Sequence, residues 1–173
     1  MHYKIITYTL FLLFALGLIG IASIVSAQAR PASTYTAHVV RIIDGDTIHV
    51  RDTTGEAHRI RLAMIDAPER EQPFGTEATK KISELLRQGT VRLKVKCIDK
   101  YNREVAFVYC EEKDVSAEML KEGMALHYHM NFDKCEMYDK FEAAAKRCRQ
   151  GLWSQEKIEK PWDFRRKHRK ENE

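Results

Sequence analysis

Between Ala37 and Ile65 three short, alternating, β-branched runs are cut by two tight-turn signals, and this rhythm constrains the fold more than any other feature of the chain. Ala37 to Ile43 reads as a strand. Asp44-Gly45-Asp46 follows, and Asp-Gly between two strand patterns marks a tight connection. Thr47 to Arg51 alternates and reads as a second strand. Asp52 to Glu56 is another turn, and His58 to Ile65 is a third strand. Runs this short and this closely spaced pair with their sequence neighbours, which gives a three-stranded antiparallel meander.

The remainder adds helices and two more strands. Ala67-Pro68 ends the third strand, and Glu69 to Gly75 is a polar loop. Thr76 to Gln88 predicts a helix, with Ala78, Ile82, Leu85 and Leu86 at helical spacing and Gly89 as the stop. Thr90 to Ile98 alternates strictly as a fourth strand with a basic outer face, and Glu104 to Cys110 is a fifth. Val115 to about Glu122 predicts a short helix stopped by Gly123. Met124 to Met130 is ambiguous. A last helix runs from Asp133 or Lys134 to about Arg149, with Met137, Phe141, Ala144, Ala145 and Cys148 on one stripe. Three strands, a helix, two strands and then helices fit an α+β chain: a five-stranded Greek-key barrel of the OB type with about three appended helices.

The 173 residues suffice for one domain with a real core. Residues 1–29 stand apart. Lys4 is their one charged residue, Ile5 to Val25 has none, and Ala27-Gln28-Ala29 is a small-x-small pattern before Arg30-Pro31. This reads as a secretory signal peptide, and the apolar run is also close to the length of a membrane span. Two alternatives stand: cleavage after the signal, or retention as an N-terminal anchor through residues 5–25. In both, residues 30–173 form the working domain and leave the cytoplasm, as a secreted, periplasmic or membrane-anchored protein. Without residues 1–29 the net charge falls from +4 to about +3, too mild to argue for nucleic-acid binding by itself. Arg165, Arg166, Lys167, Arg169 and Lys170 crowd the C-terminus, read as a solvated, frayed tail or a phosphate-attracting one. Cys97, Cys110, Cys135 and Cys148 are an even set, which in an oxidising compartment suggests two disulfides. The hairpin and helix spacings close neither sequential pair easily, so either bonds cross from the barrel to the last helix or some thiols are free, and the connectivity stays open.

Several residues carry chemistry. Asp44, Asp46 and Asp66 are carboxylates at strand ends, the oxygen donors that hard cations take. The turn explains Asp44 by itself, whereas the end of the second strand that bears Asp46 and the end of the third that bears Asp66 lie side by side. Arg61 sits inside an apolar strand, where a guanidinium needs a partner, and its planar fork suits two phosphate oxygens. Glu69, in the loop after Pro68, can orient or deprotonate water. Lys100, Tyr101 and Arg103 form a charged turn with an aromatic ring, suited to a neighbouring phosphate, a base and a transferring phosphoryl group. Strict alternation puts Arg61 and Asp66 on opposite faces, so a shared site requires the strand to bend between them. His127 and His129 read as solvent-facing strand histidines rather than metal ligands.

Read together, five stretches in order resemble the staphylococcal nuclease (thermonuclease) family: Ile43 to Thr47; Arg61 to Glu69 with Gln72 to Gly75; Asp99 to Arg103; Glu122 to Ala125; and Gly151 to Ser154. The resemblance spans about 37–162. It implies an OB barrel that hydrolyses phosphodiester bonds of DNA and RNA with calcium. Arg61, Glu69 and Arg103 match the catalytic residues. Asp46, Asp66 and the Ala67 carbonyl match the calcium ligands, with Lys100 and Tyr101 beside the substrate. The chain is expected to act as a monomer. Asn102 departs from the family's usual glycine, but asparagine tolerates a left-handed backbone. A non-catalytic OB module that binds nucleic acid or protein is the rival reading, and it would not need this full set of charged residues.

Overall fold

Alternation in the sequence becomes sidedness in the structure. In β5 (Thr90–Ile98), Val91, Leu93 and Val95 are buried while Thr90 and Lys94 face solvent. The computed structural model describes residues 33–130 and 136–171. The segment expected to be a leader or anchor, Cys135 and the start of the last expected helix lie outside the described residues.

β1 (Thr34–Ile42), β2 (Thr47–Asp52) and β3 (Ala57–Leu62) form the expected antiparallel meander. β1 also pairs with β5, and β5 makes a hairpin with β6 (Glu104–Cys110). β6 then runs parallel to β3, with Ile60 opposite Glu104, Arg61 opposite Val105 and Leu62 opposite Ala106. That last pairing closes the strands into a five-stranded barrel and removes its open edge. Ile48, Val50, Ile60, Leu62, Leu93 and Val108 fill the interior. Burying such side chains contributes roughly 1.5–3 kcal/mol each.

Helices cover the barrel. α1 (Gly75–Leu85) turns Ala78 and Ile82, one helical turn apart, into the core. The short strand β7 (Lys113–Asp114) leads directly into α2 (Val115–Lys121). Asp114 caps α2 by accepting from the Ala117 amide at 3.1 Å. Its other carboxylate oxygen accepts from the Tyr138 hydroxyl, which ties α3 (Glu136–Arg147) to that cap. Gly151–Ser154 forms one 3-10 turn, and α4 (Pro161–Glu171) follows.

Two expectations need correction. The third strand does not run unbroken to Ile65. β3 ends at Leu62, Met64 takes a left-handed φ of 68°, and β4 (Ile65–Asp66) leaves the barrel to pair with β8 (Leu126–His127). The break is held by hydrogen bonds: the Ala63 amide donates to Ala106 O at 2.8 Å, and the Tyr128 amide donates to Met64 O at 2.8 Å. The basic C-terminal segment is the second case. Residues 161–171 are a helix rather than a frayed tail, which brings the helices among the described residues to four. Pro161 at the first position and Asp163 in the first turn are start signals for it.

The two-disulfide expectation also fails among the described residues, where Cys97, Cys110 and Cys148 are free thiols. Cys97 lies opposite Val105 on the β5–β6 hairpin. Cys110 is therefore five residues further along the partner strand, about 17 Å at the usual rise. No disulfide spans that distance.

Candidate active site

The kink after Leu62 lets Arg61 and Asp66 share a face. The Arg61 guanidinium donates from Nη2 to Asp66 Oδ1 at 2.9 Å and from Nη1 to Leu62 O at 3.0 Å. Its Nη1 also lies 3.2 Å from Asp46 Oδ2. All three side chains are buried. The bend required by the sequence is thus present, and its cause is the turn at Ala63-Met64. Asp46 reaches the same point from the start of β2. Its Oδ2 accepts from the Ala67 amide at 2.8 Å and its Oδ1 from the Thr47 hydroxyl at 3.0 Å. Gly45 permits this approach. A Cβ there would lie 2.6 Å from Ala67 Cβ and 2.8 Å from Ala78 Cβ.

Arg103 arrives from the turn between β5 and β6. Its Nε donates to Asp99 Oδ2 at 2.8 Å, and its Nη1 donates to Thr47 Oγ1 at 3.3 Å. Asp99 Oδ1 holds the turn by accepting from the Tyr101 and Arg103 amides. Asn102 takes the left-handed φ of 58° that its side chain tolerates. Tyr101 stays exposed, with Lys100 Nζ 5.0 Å and Arg103 Cζ 5.4 Å from its ring centre. Asp99, Lys100, Tyr101 and Arg103 line one open groove of about 630 Å³ together with Asp46, Arg61, Asp66, Tyr128, Trp162 and α4.

The groove's acidic side is electrostatically loaded. Burial, with the neighbouring charge of Asp46, pushes the Asp44 carboxyl up to about 6. Asp44 Oδ1 also accepts from the Asp46 and Thr47 amides at 3.0 and 2.8 Å, as its turn-forming role requires. Burial raises Asp66 too, against the opposing pull of Arg165 and Arg61. Carboxylates desolvated side by side favour a cation among them.

Glu69 is placed by its loop. Its amide donates to Gln72 Oε1 at 2.9 Å, and buried Gln72 donates from Nε2 to Glu159 O at 3.0 Å. Gly75 packs so tightly under the loop that a Cβ would fall 1.9 Å from Glu69 O. Glu69 and Asp66 also share a partner that sequence reasoning missed. Arg165 of α4 donates from Nη2 to Asp66 Oδ2 at 2.7 Å, and from Nη1 to Asp66 Oδ1 at 3.1 Å and Glu69 Oε1 at 2.7 Å. Burial alone would lower the Arg165 guanidinium, but its bonds to Asp66 and Glu69 outweigh that and hold it above its usual range.

Two arginines and a set of oxygen donors therefore converge at the barrel rim on a groove open to solvent. The sequence profile described as "Staphylococcal nuclease homologue" matches residues 59–155, more than half of the chain. This chain belongs to the staphylococcal nuclease family. A protein of Shigella flexneri named micrococcal nuclease is 36% identical over 157 residues, covering 84% of this chain and 89% of its own. An endonuclease of Haemophilus influenzae, itself named uncharacterized, is 36% identical over 153 residues, covering 88% and 84%. A staphylococcal-like nuclease of Arabidopsis thaliana is 33% identical over 158 residues, covering 87% of this chain but 49% of its own. The chain is a nuclease, and its motif residues Asp46, Arg61, Asp66, Ala67, Glu69, Lys100, Tyr101 and Arg103 all lie around this one groove.

Proposed function

We propose that this nuclease hydrolyses phosphodiester bonds of DNA and RNA with little sequence preference, uses calcium, and acts outside the cytoplasm. The observation that carries the reading is the pair of arginines, Arg61 and Arg103, flanking buried Asp46 and Asp66 in one groove.

The oxygen-only donor set fits a hard divalent ion: Asp46 and Asp66 supply carboxylates beside the Ala67 backbone, and a cationic group, Arg165, already lies against Asp66. Calcium held there would supply positive charge next to a phosphate oxygen. Arg61 is fixed by its two carboxylates and lines the groove, where its guanidinium stabilises a phosphate. Arg103, tethered to Asp99 and Thr47, meets the charge that grows on the transferring phosphoryl group. Glu69 orients the attacking water and accepts its proton. Lys100 neutralises an adjacent phosphate, and exposed Tyr101 stacks on a base. Every base offers a face to stack on, so this contact is indifferent to sequence.

Export is supported by the uncharged Ile5 to Val25 run and by Ala27-Gln28-Ala29. N-terminal sequencing of the protein recovered outside the cytoplasm, or from the membrane fraction, separates cleavage from anchoring. Hydrolysis of denatured DNA and of RNA by the purified chain, with and without calcium, tests the activity itself.

One substitution tests the positioning of Glu69 apart from its chemistry. Gly75→Ala is expected to push the Glu69 loop outward and lower turnover by about 100-fold, because an ångström of misplacement costs about that much. Circular dichroism should remain native. Unchanged turnover in this variant would mean that the position of Glu69 does not matter to the reaction.

A further inference from the structure

A second group of metal-ligating residue types gathers around the end of β8, outside the active-site groove. His127 and His129 alternate onto one face of the segment, and Asp139 comes from the first turn of α3. Asp139 Oδ1 lies 2.9 Å from His127 Nδ1, a hydrogen bond that a bound ion would replace, and 3.4 Å from His129 Nε2. A tetrahedral ion with bonds near 2.05 Å separates its ligand atoms by about 3.3 Å, so the two observed spacings straddle the ion's requirement. The His127 ring is buried and its Nε2 has no hydrogen-bond partner. The other ring nitrogen, Nδ1, is the one that faces Asp139. His129 and Asp139 are exposed, which leaves a coordination position open to solvent.

We propose that His127, His129 and Asp139 form a second metal site for a borderline transition ion of the zinc type, clamping β8 to α3. Two imidazoles and one carboxylate select such an ion over calcium, which takes oxygen donors. The site also lies against the reaction centre. Ile65 pairs with His127 and Asp66 with Leu126, so the ion would brace the strand beneath Asp66. Tyr128, between the two histidines, lines the active-site groove and its ring sits 5.7 Å from that of Trp162. The other comparable cluster among the described residues, Asp52, Glu56 and His58, is weaker for such an ion, because it offers one imidazole rather than two.

The test is zinc titration of the full chain by calorimetry in saturating calcium, with His129→Ala and Asp139→Asn beside the wild type. Both substitutions are at exposed side chains and leave the fold intact. One saturable zinc per chain is expected, weakened at least tenfold by each substitution. Cobalt in the same site should show tetrahedral d–d absorption without a thiolate charge-transfer band. No saturable zinc binding by the wild type, or undiminished binding in either variant, overturns the proposal.

A different observation carries a second inference, which rests on the calcium reading above. The Arg165 guanidinium bridges Asp66 and Glu69 through three charge-assisted hydrogen bonds. The geometry points to Arg165 as a resident counter-cation that calcium must displace, so that binding the ion frees α4 from the groove. Calcium calorimetry on Arg165→Ala and Arg165→Lys tests this without using turnover. The alanine variant should bind calcium at least threefold more tightly than wild type, with lysine between the two. Equal or weaker affinity in the alanine variant overturns the displacement while leaving the calcium reading intact. No calcium binding by either protein overturns both.

Discussion

Arg103→Ala is expected to slow cleavage of denatured DNA by about 10³–10⁵-fold, the range seen when an arginine that meets phosphoryl charge is removed. Its fold should survive, because Arg103 sits at the rim and its ties are to Asp99 and Thr47. Arg61→Ala should be as inactive but for a compound reason. Removing it strips Asp46 and Asp66 of their shared buried partner, which costs about 3–5 kcal/mol of stability in addition. Urea unfolding beside single-turnover kinetics separates the two effects: Arg103→Ala should lose rate alone, and Arg61→Ala both rate and midpoint. Near-native turnover in either variant would remove the arginine pair from the mechanism.

Chelation is expected to have an effect of similar size. Treating the purified chain with EGTA should reduce cleavage of DNA and of RNA to background, and added calcium should restore it. Asp66→Asn should need much more calcium to reach half-maximal rate. Asp66 is fully buried, and one of its partners, Arg165, comes from a partly exposed helix. Cleavage that persists at full rate in EGTA would exclude calcium as the activating ion. An unaltered calcium requirement in Asp66→Asn would remove that carboxylate from the ligand set.

Most of the barrel was legible because its strands announce themselves locally. Thr90–Ile98 and Glu104–Cys110 coincide with the alternating runs that predicted them. The site was legible in part. Asp46, Arg61, Asp66 and Arg103 were singled out by charge in apolar or turn settings, and the need for a bend followed from simple alternation. The place of that bend was not readable. Ala63-Met64 carries no turn signal, and Met64 accepts a left-handed backbone because bonds to Ala106 and Tyr128, both distant in sequence, hold the segments on either side. α4 was missed for a similar reason. Its charge density hid a helix whose docking depends on Asp66 and Glu69, close to a hundred residues earlier. His127 was misread as solvent-facing because two residues of strand give no period to analyse. Its burial comes from packing under α3.

The parallel pairing of β3 with β6 has one further consequence. It sets Arg61 and the end of β6 that follows Arg103 in adjacent rungs of one ladder, where a hairpin loop alone would leave their separation free. Loosening the distance between the arginines therefore means breaking the pair that closes the barrel. The amide protons of Ile60 to Leu62 should exchange with solvent only when the whole barrel opens. Catalytic competence should vanish in the same cooperative transition as the fold, with no partly active, partly unfolded state along the way.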